Sequence, residues 1–309
     1  MARYLVTGGA GFIGSHVVDV LLREGNQVRV LDNLSIGRKE NLARAVELVE
    51  SDVRDLKSLL SAAKGVDCII HEAAVSSISL SVKEPVLSNE VNVTGTLNVL
   101  IAAKEARVGR VVFASSSAVY GEGETLPKSE KMTCRPVSPY GVQKLCGEFY
   151  CKVFSRNFGI EAVCLRYFNV FGPRQVTGAQ HSAVIPDFIL KMLRGESPVI
   201  FGDGQQTRDF VYIENVARST VDASKASEVS GRVFNIGGGR GVSLNKLVSV
   251  INNLLGTRIK PFYGSPRQGE IQYSQADIKL ARKRLGYRVR ISFEEGLAKT
   301  VQHLRKRCE

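Results

Sequence analysis

Tyr4-Leu5-Val6-Thr7-Gly8-Gly9-Ala10-Gly11-Phe12-Ile13-Gly14 runs from an apolar stretch through a glycine-rich turn into a helical pattern that continues to Glu24. The glycines fit two overlapping spacings, Gly9, Gly11, Gly14 and Gly8, Gly11, Gly14. A strand that turns through such glycines into a helix brings backbone N–H groups and the positive end of the helix dipole close to a pyrophosphate, which a Cβ would keep away. A second apolar run, Val28 to Leu31, ends at Asp32, where a carboxylate would hold a ribose 2′-hydroxyl. The combination predicts a dinucleotide site with Gly8, Gly11, Phe12, Ile13, Gly14, Asp32 and its neighbour Asn33 around the cofactor. Asp32 repels a 2′-phosphate, so NAD is favoured over NADP; Arg38-Lys39 nearby is the opposing feature. Asp52 and Val53, past a third strand, are candidates for the adenine edge.

Working outward, Tyr4 to Thr7, Val28 to Leu31, Glu47 to Val49, Cys68 to Ile70, Val111 to Ser115 and Ala162 to Arg166 have the near-continuous apolar character of buried parallel strands. Between them, Phe12 to Glu24, Leu56 to Ala63, Val82 to Glu105 and Tyr140 to Asn157 carry helical periodicity. This alternation predicts an α/β chain, a Rossmann doubly wound parallel sheet built through right-handed crossovers. After Gly172-Pro173 the pattern changes to helices at Ala183 to Leu193, Asn215 to Ser224, Leu244 to Leu254 and Phe293 to Leu304, with short strands at Val199 to Phe201 and Val233 to Ile236. The expected organisation is a nucleotide-binding domain over residues 1–172, taking in parts of 208–236, and a smaller interleaved C-terminal substrate domain over 173–309.

Composition narrows the function classes. At 309 residues, with 44% hydrophobic and 23% charged residues, the chain has the make-up of a globular domain with a sizeable core, and disorder, collagen and coiled coil are excluded. No run of 18 apolar residues spans a bilayer, and the N-terminus enters the first strand directly, so neither a membrane anchor nor export is expected. The six cysteines form no CxxC pair and do not cluster with the four histidines, which suits a reducing cytoplasm and argues against a metal. The net charge of +12 fits either nucleic acid or small anionic substrates. The densest basic run, Arg282-Lys283-Arg284 through Arg288 and Arg290, lacks interleaved aromatics and reads as a solvated helix face, so no nucleic-acid partner is expected.

Tyr140-Gly141-Val142-Gln143-Lys144 sets a phenol and an ammonium one helical turn apart on the same face. It follows a strand ending in Ala114-Ser115-Ser116-Ser117-Ala118-Val119-Tyr120-Gly121, which places hydroxyls at the carboxyl edge of the sheet, where ligands bind in such folds. A phenol works as a base near neutral pH only where positive charge stabilises the phenolate, as Lys144 and an oxidised nicotinamide would do.

Together with His71-Glu72-Ala73-Ala74, Arg166-Tyr167-Phe168-Asn169-Val170-Phe171-Gly172-Pro173-Arg174, Gly202-Asp203-Gly204, Arg208-Asp209-Phe210 and Arg267-Gln268-Gly269-Glu270, these motifs make the chain resemble, from end to end, an extended short-chain dehydrogenase/reductase, and most nearly the UDP-sugar 4-epimerases. The resemblance implies that Tyr140 takes the proton of the sugar 4-hydroxyl and Lys144 holds the nicotinamide ribose. It implies Ser116, or Ser117 as the close alternative, as the hydroxyl that polarises the reacting oxygen. Ala73, Asn92 and Phe168 match cofactor-side positions, Asn169, Arg208 and Arg267 residues that hold the UDP diphosphate, and Glu270 one that holds the uridine ribose. The implied reaction is transient oxidation at C4, rotation of the ketose and re-reduction, with NAD regenerated.

Nucleotide-sugar 4,6-dehydratases of similar sequence carry Asp-Glu where this chain has Ser117-Ala118, which favours an epimerase; uronate 4-epimerases, decarboxylases and reductases stay open as alternatives, as does a non-enzyme that senses NAD or binds nucleic acid on the same scaffold. Ser274 stands where a bulky aromatic would exclude an N-acetyl group, and Gln175 and Ala183 match sugar-facing positions of N-acetylhexosamine epimerases. UDP-GlcNAc/UDP-GalNAc are therefore expected besides or instead of UDP-Glc/UDP-Gal. Related enzymes pair the stretches Val82 to Glu105 and Tyr140 to Asn157 across a two-fold axis, which implies a homodimer.

Overall fold

Apolar strands without alternation need cover on both faces, and the chain supplies it by winding helices to either side of one sheet. The computed structural model describes residues 1–123, 125–176, 183–266 and 272–308. Through the first half the order is β1 (Arg3–Thr7), α1 (Phe12–Arg23), β2 (Gln27–Asp32), β3 (Glu47–Glu50), α2 (Leu56–Ala62), β4 (Cys68–His71), α3 (Ile78–Lys83), α4 (Pro85–Asn89), α5 (Gly95–Glu105), β5 (Arg110–Ser116), α6 (Pro139–Phe158) and β6 (Glu161–Tyr167). The second half adds β7 (Asn169–Phe171), α7 (Val184–Leu193), β8 (Val199–Phe201), β9 (Thr207–Arg208), β10 (Phe210–Tyr212), α8 (Ile213–Lys225), β11 (Val233–Ile236), β12 (Val242–Ser243), α9 (Leu244–Leu255), β13 (Phe262–Gly264), α10 (Lys279–Leu285) and α11 (Phe293–Cys308).

The main sheet has seven strands in the order β11-β6-β5-β4-β1-β2-β3, with every neighbouring pair parallel. This is the doubly wound arrangement expected from the alternation, and its order reverses between β1 and β4, where a crevice opens at the carboxyl ends of the strands. Because successive side chains point to opposite faces, Tyr4 and Val6 pack with Val17 and Leu21 of α1 and Val216 of α8. Leu5 faces the other way, into a core with Leu59 of α2, Leu100 of α5, Phe113 and Phe154. A third core, built on Phe171, Ile189, Phe210, Leu247 and Phe293, belongs to the later elements. The chain returns to the main sheet after entering this third region, because α8 packs beside α1 and β11 pairs with β6.

Two sequence expectations differ from the structure. The stretch from Val82 to Glu105 is not one helix. Glu84, at φ −126° and ψ 64° ahead of Pro85, ends α3, and a π turn over Glu90–Thr94 joins α4 to α5. Proline forbids the helical conformation of the residue before it, and π turns arise where a side chain reaches out of the helical ladder; here the Asn92 amide bonds the backbone of Val75. The basic run likewise leaves its helix early: α10 ends at the left-handed Gly286, so Arg282, Lys283 and Arg284 are on the helix whereas Arg288 and Arg290 lie beyond it, all of them exposed.

Helix α6 starts at Ser138, whose Oγ accepts the Gly141 N–H at 3.2 Å, and at Pro139 in the first turn. Its close seating on β5 depends on Gly147: a Cβ there would stand 2.4 Å from Cζ of the fully buried Phe113 ring. Gly147→Ala is therefore expected to destabilise the protein by about 1–3 kcal/mol through overpacking, although alanine is the better helix former. Urea unfolding of the two proteins measures it, and an alanine variant as stable as the parent would contradict the seating.

Candidate active site

At the reversal of strand order the carboxyl ends of β1, β2 and β4 open into a cleft of about 860 Å³. Its near wall is the glycine turn. Gly8 has φ +70°, and a Cβ on it would fall 2.6 Å from the Ala73 nitrogen, while one on Gly14 would fall 2.2 Å from the Gly8 carbonyl oxygen. The turn is thus folded tightly onto both β4 and α1. Gly11 caps α1 with no side-chain hydrogen bond, and the first turn, which includes Phe12 and Ile13, holds no acidic residue, so its backbone donors face the cleft rather than a carboxylate.

Asp32 ends β2 and accepts the N–H groups of Ala10 and Leu34, each at 2.9 Å. Burial raises its pKa, against the pull of those two donors. Farther out, Asn33 donates to Asp52 at 2.8 Å, and the side chain of Arg54 holds the Asp52 carboxyl down to about 2. Val53 lines the same rim. A cradle too tight for a Cβ, an uncapped helix N-terminus and a carboxylate at the end of β2 fit NAD. Of Arg38-Lys39, the feature that pointed toward NADP, Lys39 is paired with Glu50 at 2.8 Å.

Ala73 lines the cleft, whereas Asn92 and Phe168 lie behind its wall. Asn92 clamps the backbone of Val75 through both N–H and carbonyl and donates to Gln143, which in turn donates to Ser88. Phe168 is buried against Tyr120.

Next to β4 in the sheet lies the end of β5. Ser116, its last residue, is the serine whose side chain draws the Tyr140 phenol down, and its Oγ accepts the Ala118 N–H at 3.2 Å; Ser117 already belongs to the 3-10 turn Ser117–Tyr120. Lys144, one turn along α6, donates to the Ala114 carbonyl at 2.7 Å and lies 5.0 Å from the Phe113 ring centroid and 5.9 Å from that of Tyr140. Burial pushes the Tyr140 phenol up to about 12, the Ser116 hydrogen bond works downward and the Glu72 carboxyl upward. Burial also brings the Lys144 ammonium down to about 8, with Glu72 holding it up. One turn farther, Glu148 accepts Ser115 Oγ at 2.5 Å and two guanidinium bonds from Arg166, at 2.8 and 2.7 Å, with both side chains 5% exposed. Tyr140 and Lys144 of α6 are thus tied to β5 and β6 by the residue one turn behind them.

Asn169, Gln175, Ala183 and Arg208 line the opposite side, brought there by β7, the turn after it, the start of α7 and β9. Gln175 donates to the Val170 carbonyl, and its buried Oε1 has no partner among the described residues. Ser274 is 9% exposed, its N–H directed to Thr207 Oγ1 beside Arg208. Arg267 and Glu270 lie outside the described residues. Sequence reasoning passed over Glu72, quoted only within a motif; a lone charge between buried His71 and Ala73-Ala74 was its signal. Gln143 and Ser88 gave none. Among the described residues no group of three or more His, Cys, Asp or Glu could hold a metal ion, and no helix is long and apolar enough to cross a membrane.

Comparison with known proteins agrees with this geometry. The NAD dependent epimerase/dehydratase family matches residues 4–237. The UDP-glucose 4-epimerase of Mycolicibacterium smegmatis is 38% identical over 99% of this chain and 100% of its own length. The solved UDP-N-acetylglucosamine 4-epimerase of Methanobrevibacter ruminantium, in complex with UDP-N-acetylmuramic acid, superposes with a TM-score of 0.95 at 39% identity over 99% of both chains. The Thermotoga maritima UDP-glucose 4-epimerase with UDP-glucose gives 0.95 at 38% identity over 99% of this chain and 100% of that one. With its glycine cradle, its Tyr140–Lys144 face and a likeness that runs from end to end, the chain belongs to the NAD dependent epimerase/dehydratase family.

Proposed function

We propose that the protein is a UDP-hexose 4-epimerase that interconverts gluco and galacto configurations, acting on UDP-GlcNAc/UDP-GalNAc and on UDP-Glc/UDP-Gal. The observation that carries this reading is the α6 face of Tyr140 and Lys144 set beside Ser116 at the end of β5, with the glycine cradle two strands away at the same edge of the sheet. NAD, when bound, supplies the oxidising power that turns the C4 alcohol into a ketone and the reducing power that restores it. Tyr140 takes the C4 hydroxyl proton and later returns it, while Ser116 orients the reacting oxygen. With the phenol held as high as about 12, that transfer requires added positive charge, and the Lys144 ammonium, 5.9 Å from the Tyr140 ring centroid, is placed to add it.

Asn169 and Arg208, with Arg267 and Glu270, anchor the UDP moiety so that the sugar alone turns between the two half-reactions. The charged side chains among the described lining residues are Asp32, Asp52, Glu72, Asp187 and Arg208, four acids to one base, which supports a neutral hexose over a uronate. The small Ser274, with Gln175 and Ala183, supports room for an acetamido group.

A homodimer belongs to the same proposal, seated on the exposed apolar side chains of α4 and α6: Val86, Leu87, Val142, Phe149 and Val153. So does a cytoplasmic setting, in keeping with the free thiols of Cys68, Cys134, Cys146, Cys151 and Cys164.

An NMR time course of the purified protein with UDP-GlcNAc and UDP-Glc together tests the activity. Galacto epimers are expected with the parent and a loss of about a thousandfold or more with Tyr140→Phe; no epimer even after added NAD, or an unimpaired phenylalanine variant, would refute the assignment. Ser274→Tyr is expected to abolish turnover of the acetylated sugars and spare plain hexoses, and equal loss of both would rule out the gatekeeper. Light scattering should give a mass twice that of the chain, with Phe149→Glu shifting it toward the monomer; a monomeric parent would remove the dimer.

A further inference from the structure

A carboxyl group that no part of the scheme above uses lies at the reaction end of the cleft. Strands β4 and β5 pair with His71 opposite Phe113, so Glu72, the next residue, falls level with Ala114. The Lys144 ammonium is bonded to the Ala114 carbonyl. Adjacent strands lie about 4.8 Å apart, so one strand spacing separates the Glu72 backbone from the carbonyl that holds Lys144. From the far side Tyr167, paired with Ser116 in the register of β5 and β6, brings its hydroxyl to 2.8 Å from Glu72 Oε1. Glu72 is thus enclosed by the strand ends that carry Ser116 and the helix face that carries Tyr140, and it lines the cleft.

We propose that Glu72 is a positioning carboxyl of the reaction centre, whose charge sets the ionisation of the Tyr140–Lys144 pair. The inference rests on the reading of that pair as base and ammonium given above.

The hydrogen-bond chain behind Glu72 suits a group that changes charge. Tyr167 OH lies 2.7 Å from Thr220 Oγ1, which is 2.9 Å from the Val216 carbonyl oxygen. A carbonyl only accepts, and each hydroxyl has one proton to give. When Glu72 is a carboxylate, Tyr167 donates to it and Thr220 turns its proton to Tyr167. When Glu72 is a carboxylic acid, every proton runs the other way, from Glu72 to Tyr167, from Tyr167 to Thr220 and from Thr220 to the carbonyl. Both charge states are hydrogen-bonded with no movement of heavy atoms.

The titratable groups around the carboxyl are Tyr140 and Lys144 of α6, Tyr167 of β6 and His71 of β4, with Cys151 of α6 beyond Lys144. His71, clasped between Thr7 and Thr96 and lowered to about 3 by burial, stays neutral. Burial raises Glu72 to about 7, against the Tyr167 hydrogen bond and the Lys144 charge. The sign then follows. As pH rises through neutrality Glu72 becomes anionic; the anion keeps the Lys144 proton on to higher pH and delays the Tyr140 phenolate.

The test is the pH dependence of kcat and kcat/KM for the holoenzyme on whichever UDP-hexose it turns over. Glu72→Gln keeps an oxygen acceptor and an N–H donor for Tyr167 but removes the charge. The alkaline limb, where Lys144 loses its proton, is expected to move down by about one pH unit. Tyr167→Phe, which withdraws the donor from the anion and so keeps Glu72 neutral to higher pH, should move the same limb the same way by less, and it carries the test if the glutamine variant fails to fold. Variants that lose amplitude while both limbs stay in place would overturn the proposal and leave Glu72 a packing residue. Tyr140→Phe, run alongside, separates the two levels: a phenylalanine variant that still turns over would bring down the base assignment itself, whereas an inactive one beside unmoved limbs brings down only the role of Glu72.

Discussion

The seating of α6 against β5 is the constraint on which the rest of the site depends. Three residues within about one turn of one helical face meet the sheet: Lys144 at the Ala114 carbonyl, Gly147 on the Phe113 ring, and Glu148 between Ser115 and Arg166. The buried ion pair adds little net stability, because the desolvation of both charges offsets most of their attraction. Its contribution is geometric. Two guanidinium bonds and one hydroxyl bond leave the carboxylate a single orientation, so the helix can neither slide nor rotate, and Tyr140 two turns earlier inherits that fixity at the edge of Ser116.

Around this frame the buried polar groups are arranged to hold loops rather than to react. Asn92, presented by the π turn, grips both polar groups of Val75 and reaches Gln143 on α6, while Ser81 accepts the Tyr140 N–H. The cleft wall at Val75 is therefore fastened to the same helix that carries Tyr140. A π turn has poorer hydrogen bonding than an α-helix and is kept where a side chain must be aimed, as here. The same economy explains His71, a neutral imidazole pinned between two threonines.

The fold was legible because its signals are local and periodic. Apolar runs of strand length, a glycine turn and a terminal aspartate each act within about ten residues, and β8 and β11 fall at the bounds read from the sequence. The break in the stretch after Val82 was missed, although Pro85 marks it, because the π turn is imposed by a partner 17 residues away. Of the site, Tyr140, Lys144 and the serine run were legible as a pattern, and within that run it is Ser116 whose side chain bears on the Tyr140 phenol. Glu72 was not: the sequence shows a glutamate after a buried strand, and only the pairing of β4 with β5 and β6 with β5 reveals that it stands between a lysine and a tyrosine. Residues whose meaning comes from three strands at once leave no mark on any one of them.

The path of the chain explains how two binding regions stay in register. After β6 it leaves the main sheet for β7, whose partner is β10, then returns through α8 and β11 to the edge of that sheet. Asp209, fully buried next to Arg208, accepts the N–H groups of Gly238, Gly239 and Ala276, so one carboxyl joins the strand carrying Arg208, the turn after β11 and the segment of Ser274. A hinge between the regions would have to break these bonds. For a reaction in which the sugar turns over while its nucleotide stays put, that rigidity is the useful property: the walls remain fixed, and the only large rotation left is that of the substrate about its own bonds.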